Sequence, residues 1–374
     1  MFEEMKKLLL VSLSVAMFIA ACGAKTTTEA AKPAETTVAA TEAATEAAPE
    51  AKKENTVVRW NYGSSGNVLV TIAEEKGYFD EVGITIQPVA ATAVLNALGL
   101  LSANQVDIVS NAGTSNPLQQ IAAGNDFTIF GGHMVNGAMP VVAKKGTEWK
   151  GVESLVGEKV AINPSYFAFP GALMELGYDK PLEVVEWKTY GTYDDALAAV
   201  QRGEVKYALM GTEKNYPLSQ MDDIEIVSWH SEVMPNYSCC RMECQTNYLK
   251  ENPDVIKRII KALLRAQSYY ETHKDEAIKL HAAKINAEPE FVAAYMNNPH
   301  YLVSVDPLKN QVERAWGILD KTGFLDENAK NINIDDHINT SIYEEALKEA
   351  KAEYGAENPA FYDKMEQFFS ENDR

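Results

Sequence analysis

TVVRWNYGSSGNVLVTIAEEKGYFDEVGITIQPV, Thr56 to Val89, holds a complete strand–turn–helix–strand unit. Thr56–Tyr62 alternates and is rich in β-branched and aromatic residues, which predicts a strand. Gly63-Ser64-Ser65-Gly66 breaks it. Val68, Leu69, Ile72 and Ala73 then recur at helical spacing, and Gly77 supplies a stop. Ile84–Val89 reads as a second strand. The alternation continues with a helix over Val94–Ala103, carrying Leu95, Leu98 and Leu101, and a strand over Val106–Ser110. A turn from Asn111 to Pro117 opens a helix that runs to about Ala123, and Thr128–Phe130 and Pro140–Ala143 read as further strands. A second unit starts near Gly151, with strands at Lys159–Ile162, Leu182–Trp187 and Tyr207–Met210 and helices at Pro170–Leu176 and Asp194–Gln201. Strands alternating with helices imply an α/β fold of parallel-rich sheets covered on both faces.

Beyond about Ser231 the pattern changes. One strand, Ser238–Cys244, precedes a mostly helical region. Asn252-Pro253 reads as an N-cap with a first-turn proline, and Val255, Ile256, Ile259, Ile260, Leu263 and Leu264 form one apolar stripe after it. Later helices centre on Lys274–Lys284, Glu288–Met296, Leu308–Thr322, Ile342–Glu353 and Pro359–Phe369.

Towards the start, Lys6 and Lys7 precede an apolar run from Leu8 to Ala21. That run is shorter than the ~20 residues a spanning helix needs. Positive flank, short apolar core and small residues at the cut describe a secretory signal over residues 1–21. Ile19-Ala20-Ala21-Cys22 resembles the bacterial lipobox, whose cysteine is diacylated and becomes the new first residue. Residues 23–55 are mostly Ala, Thr, Glu, Pro and Lys with almost no aliphatic bulk, which makes 22–55 a lipidated, solvated tether. The expected location is the extracytoplasmic face of the cell membrane, held by lipid.

The chain carries 34 Lys and Arg against 53 Asp and Glu, a net charge of −19. Cleavage before Cys22 removes Lys6, Lys7, Glu3 and Glu4 and leaves that value unchanged. So acidic a chain is repelled by nucleic acid and anionic lipid. Three cysteines besides Cys22, at Cys239, Cys240 and Cys244, crowd into six residues. An odd cluster of this kind is no disulfide framework, and without a nearby His pair it is a poor zinc site. They read as small apolar residues of a buried strand, with a redox or metal role as the alternative. No cofactor, metal site or catalytic residue is expected. HExxH, GxSxG and phosphate-loop patterns are missing. His133, after Gly131-Gly132, reads as a satisfied loop histidine or a ligand contact. His273 and His281 read as solvated. Glu213 lacks a partner nucleophile for general-base work.

Ligands of open parallel sheets bind beyond the carboxyl ends of the strands. Three such turns place Ser, Thr or Asn beside a helix start: Tyr62 to Gly66, Asn111 to Pro117, and Asn163 to Phe167. Free N–H groups there suit an anion or another acceptor, although the same residues also serve as plain helix caps. Aromatics gather near these strand ends, and Tyr62 and Tyr166 are the candidates for walling a ligand.

At this point the chain resembles the solute-binding lipoproteins of ABC importers, in the nitrate, sulfonate, taurine and thiamine-pyrimidine-precursor group. The resemblance spans Val57 to Leu325. It rests on Ile72 to Phe79 with Gly83-Ile84, Leu98 to Ser110, Leu155 to Ala161, Ala196 to Leu209, Tyr237 to Cys240, and Asn252-Pro253 in that order. Ser102-Ala103-Asn104 replaces a usual glycine, and Lys206 stands where Asp is common. The resemblance implies a two-lobe type II periplasmic-binding-protein fold with two crossover strands and a helical C-terminal region. It implies lobe 1 over residues 56–144 and 233–374 and lobe 2 over residues 145–232. It also implies a monomer that closes on a small solute and docks an ABC permease. Carried over, the ligand contacts fall on Tyr62, Ser64, Ser65, Thr114, Ser115, Ser165, Tyr166 and Glu213, and more weakly on Tyr190. The solute is sulfonate- or taurine-like, or a pyrimidine or other aromatic heterocycle. Arginine is scarce near these turns, which counts against a strongly anionic solute, and the tyrosines and Glu213 would also suit an aromatic or amine-bearing heterocycle. The rival readings are a pyrimidine-precursor biosynthetic enzyme of the same fold and a surface sensor or adhesin.

Overall fold

A computed structural model describes residues 55–63 and 65–374. The expected signal, the acylation site at Cys22, the tether and Ser64 therefore lie outside the described residues, Asn55 excepted.

The structure is a two-lobe α/β fold built on two mixed sheets. The first contains β1 (Thr56–Asn61), β2 (Ile84–Pro88), β3 (Ile108–Val109) and β4 (Phe127–Gly137). The second contains β5 (Pro140–Lys144), β6 (Lys159–Ala161), β7 (Glu186–Trp187), β8 (Tyr207–Leu209) and β9 (Ile224–Trp229). The chain then returns to the first sheet through β10 (Cys240–Gln245) and β11 (Tyr301–Val303). The strand orders are β11-β4-β10-β3-β1-β2 and β7-β6-β8-β5-β9. In each sheet a parallel βαβ half meets antiparallel strands. β1 runs parallel to β2 and β3, and β6 runs parallel to β7 and β8. β10, β11 and β5 pair antiparallel to their neighbours. The chain passes between sheets twice, from β4 to β5 and from β9 to β10.

Alternation along the strands divides the second sheet into two packing faces. Val141, Ala143, Tyr207 and Leu209 join the main core shared with the first sheet, whereas Val142, Ala208 and Met210 join a smaller one under the helix Tyr193–Arg202. The helix Pro253–Thr272 buries the stripe seen in the sequence. Pro253 opens it as expected, but Asn252 does not cap through its side chain and instead donates Nδ2 to Tyr248 O at 3.0 Å.

β4 departs most from the sequence reading. The strand expected over Thr128–Phe130, with His133 read as a loop residue, is one eleven-residue strand that includes Gly131-Gly132. Arg241 on the adjoining β10 supplies the reason. Its fully buried guanidinium donates to Asp306 O at 2.6 Å and Met134 O at 2.5 Å. A Cβ on Gly132 would lie 2.5 Å from Asp306 O and 2.7 Å from Arg241 Cζ. Gly132 is thus the gap across which the buried Arg241 side chain lies on β4, whereas a Cβ on Gly131 would meet Met242 Cε at 2.5 Å and Val305 O at 3.0 Å instead. β9 and β11 carry no strand signal in the sequence reading. The helices after Pro253 lie within a few residues of those expected.

Candidate functional site

A cleft of about 720 Å³ lies between the turns of the two sheets. Its first-sheet wall starts at the end of β1. Gly63 and Gly66 both adopt positive φ, 71° and 73°, a conformation that glycine adopts without steric cost. Asn111, just past β3, ties this wall together. Its Nδ2 donates to Ser65 Oγ at 3.0 Å, Tyr62 O at 3.2 Å and Gly66 O at 3.4 Å. Beneath it, Ser110 Oγ accepts from Trp60 Nε1 at 3.0 Å and Asn67 Nδ2 at 3.3 Å. Asn67 in turn caps the helix Val68–Glu75, accepting from Leu69 N at 3.0 Å.

The second-sheet wall carries Tyr166, Tyr193 and Glu213. The two tyrosine hydroxyls lie 3.2 Å apart. Burial raises the pKa of both, so both rings stay neutral. Gly211 opens the space they need, since a Cβ there would sit 2.5 Å from Tyr193 Cε2. Ser115 Oγ reaches across from the first-sheet side to donate to Ser165 O at 2.6 Å.

Of the residues carried over from the sequence, Ser65, Thr114, Ser115, Tyr166 and Glu213 line this cleft together. Thr114 spends its hydroxyl on Ser238 O. Ser165 is not among the lining residues; its carbonyl accepts from Ser115, which is. Tyr62 packs on the main core beside the Glu74–Lys284 ion pair (2.9 Å), and only its carbonyl reaches Asn111. Tyr190 packs on the smaller core of the second sheet. Neither Tyr62 nor Tyr190 is among the lining residues.

Two histidines change role. His133 sits in β4, buried against the cleft, with no well-formed hydrogen bond at either ring nitrogen. Burial pushes its pKa down to about 3, helped by the nearby His281 and Arg241, so the ring is neutral. His281 is buried as well, not solvated. Its Nε2 lies 3.1 Å from Ser65 O and its Nδ1 3.1 Å from Thr71 Oγ1. A carbonyl only accepts, so Nε2 carries the proton and Nδ1 is left to accept from Thr71. Burial lowers its pKa to about 4, against the opposing effect of the Ser65 carbonyl. Cys239, Cys240 and Cys244 are free and buried, and the first two face the cleft. The back wall comes from Tyr237, Phe291, Tyr295 and Tyr301. The last three arrive from the helical C-terminal region, where nothing in the local sequence marks them.

The electrostatics of the cleft are distinctive. Among its lining residues Glu213 is the one formally charged side chain, and neither Lys nor Arg occurs. Arg59 and Arg202 are engaged elsewhere. Arg59 binds Asp107 at 2.5 Å and Arg202 binds Glu204 at 2.6 Å. Among the described residues no group of three His, Cys, Asp or Glu side chains could hold a metal ion. No helix among them is long and apolar enough to cross a membrane.

The profile of the family described as NMT1/THI5 like matches residues 67–277, and the chain belongs to that family. No curated protein sequence matches it significantly. The periplasmic aliphatic sulphonate binding protein SsuA from Escherichia coli shares the fold with a TM-score of 0.64 at 19% identity, covering 76% of this chain and 92% of that one. The alkanesulfonate-binding protein SsuA from Xanthomonas axonopodis pv. citri, bound to MOPS, gives 0.61 at 17%, covering 77% and 99%. The desulfurization enzyme DSZB gives 0.57 at 15%, covering 78% and 99%. At these identities the likeness is one of fold, which thus serves both binding proteins and an enzyme.

Proposed function

We propose that this chain is the extracytoplasmic solute-binding component of an ABC importer. It binds one small organic solute between two lobes, 56–144 with 233–374 and 145–232, and is held at the membrane by acylated Cys22. It acts as a monomer, performs no chemistry on the solute, and delivers it to a membrane permease when the lobes close. The supporting observation is the cleft itself. Its volume of about 720 Å³ falls within the usual range for small-molecule sites, and turns of both sheets furnish its walls.

The wall chemistry favours an amine-bearing aromatic heterocycle over a sulfonate. An anion in a cleft with no Lys or Arg on its walls would rely on helix N-termini alone. A planar ring with an exocyclic amine fits better. Tyr166 and Tyr193 offer faces for stacking, Glu213 accepts from the amine, and neutral His133 offers a ring nitrogen. Native mass spectrometry of freshly purified protein tests this by the mass of a co-purifying solute. Calorimetry against aminopyrimidines and alkanesulfonates then ranks the two classes. Binding of neither class by folded, ligand-free protein overturns the reading. His133, which lines the same cleft as Cys239 and Cys240, also favours a second, catalytic reading. A bound solute that changes mass on incubation would support it.

A further inference from the structure

Adjacent residues in a regular strand point to opposite faces of the sheet. Cys239 and Cys240 do not. Cys239 precedes β10, where its N–H donates to Val135 O at 3.1 Å. The register of β10 against β4 slips between Cys240 and Arg241. A slip of this kind re-aims side chains. Both thiols end on the wall of the same cleft with their sulfurs 3.8 Å apart.

We propose that Cys239 and Cys240 form a reversible dithiol–disulfide modification site in the cleft wall, closed by a low-molecular-weight disulfide. The step is thiol–disulfide exchange. The Cys239 thiolate attacks one sulfur of the oxidant, forming a mixed disulfide and expelling one thiolate. The Cys240 thiolate then attacks Cys239 Sγ, forming the Sγ–Sγ bond and expelling the second. The two cysteine protons leave with the two small thiols. The protein is oxidised by two electrons and the oxidant is reduced by two.

Three observations bear on the site. The third thiol, Cys244, lies four residues further along β10, outside the cleft lining, so the pair has one resolving partner. Cys240 Sγ can donate to Cys239 Sγ at 3.8 Å or Asn111 Oδ1 at 3.3 Å. Donation to Cys239 lowers the pKa of that thiol while raising its own, which makes Cys239 the first nucleophile. Adjacent Cα atoms lie about 3.8 Å apart across a trans peptide. Ordinary disulfides span about 4.4–6.8 Å. A closed pair is therefore strained and readily reduced, the behaviour of a labile rather than a structural disulfide. Closure also takes Cys240 Sγ away from Asn111, the residue that ties the first-sheet wall together. None of this depends on what the cleft holds.

The sequence makes the test direct. Trypsin cleavage after Lys214, Arg241 and Lys250 puts Cys239 and Cys240 on the peptide 215–241 and Cys244 on 242–250. The folded full-length chain is treated with glutathione disulfide, alkylated, digested and mapped by tandem mass spectrometry. The expected 215–241 peptide is two hydrogens lighter and unalkylated, while 242–250 carries an alkyl group. Brief treatment with dithiothreitol restores two alkylatable thiols. Two alkylated thiols on 215–241 after oxidation, a stable glutathione adduct there, or a bridge to Cys244 each overturn the proposal. In C240S the reaction is expected to stall as a glutathione adduct at Cys239. Should that variant fail to fold, the wild-type map decides alone.

Discussion

Replacing Gly132 by Ala tests how the Arg241 side chain lies across β4. Gly132 has no positive φ, so alanine suits its backbone and the whole effect is steric. The new methyl carbon would sit 2.5 Å from Asp306 O and 2.7 Å from Arg241 Cζ, and neither neighbour is the free end of a mobile chain. Overpacking a core costs about 1–3 kcal/mol. Displacing the guanidinium also weakens its bonds to Asp306 O and Met134 O, and hydrogen bonds to a charged group are worth about 1.5–3 kcal/mol each. Losing both bonds as well as overpacking would cost about 4–9 kcal/mol. With an unfolding entropy of ~2.1 cal/mol/K per residue over roughly 320 residues, that corresponds to a fall in Tm of about 6–13 °C. Gly99 supplies the control. It lies exposed in the helix Val94–Ser102, and nothing stands within 4 Å of the place an added methyl would take. Gly99→Ala is expected to stabilise by about 0.5–1 kcal/mol. Thermal unfolding followed by circular dichroism reads both. A Gly132→Ala protein that melts within about 2 °C of wild type refutes that placement.

Three further outcomes are expected. His230 is buried, stacked on Phe169 at 5.4 Å, and its pKa is lowered to about 3 by burial. As pH falls below the ordinary histidine value near 6.5 the unfolded chain takes a proton that the folded one refuses. Wild type should therefore lose stability relative to His230→Phe by up to about 1.4 kcal/mol per pH unit between about 6.5 and 3, read by urea unfolding at each pH; parallel curves would refute it. Glu243 has the opposite sign. It is fully buried with both carboxyl oxygens unpartnered, and burial raises its pKa well above 4.5. Above that ordinary value the unfolded chain releases a proton that the folded one keeps, so wild type should gain on Glu243→Gln as pH falls from neutral towards 4.5 and stop gaining below it. Unfolding midpoints over that range check this, and a gap independent of pH counts against it. For a solute carrying an amine, Glu213→Gln should weaken binding by about tenfold to a hundredfold in calorimetry with an unchanged circular dichroism spectrum; unchanged affinity would remove Glu213 from the contact.

The first βαβ unit and the C-terminal helices are legible in the sequence because their signals are local. Val68, Leu69, Ile72 and Ala73 set one helix face, and Pro253 with its apolar stripe sets another. The cleft is legible only in part. Ser65, Thr114, Ser115 and Tyr166 sit in turns whose chemistry shows in the sequence. His133 and His281 escape a local reading because their burial follows from distant partners. Arg241 and His281 crowd one, and Ser65 and Thr71 enclose the other. Phe291, Tyr295 and Tyr301 are invisible as cleft residues, since only tertiary packing brings the helix Pro289–Met296 and strand β11 to that wall. Tyr62 shows the converse, a plausible ring whose side chain turns to the core while its carbonyl serves the site.

The strand order has a consequence for how the chain comes to be folded at all. β10 lies between β3 and β4, although more than one hundred residues and the whole second sheet separate it from them in sequence. During synthesis, β3 and β4 cannot be joined until residues 240–245 have emerged. Until then the nascent chain holds two unsealed strand edges and a glycine gap awaiting its arginine. Such a dependence on distant pairing slows folding. A fragment ending near residue 232 is expected to leave the first sheet unsealed, so that lobe stays pliable until most of the protein has been made.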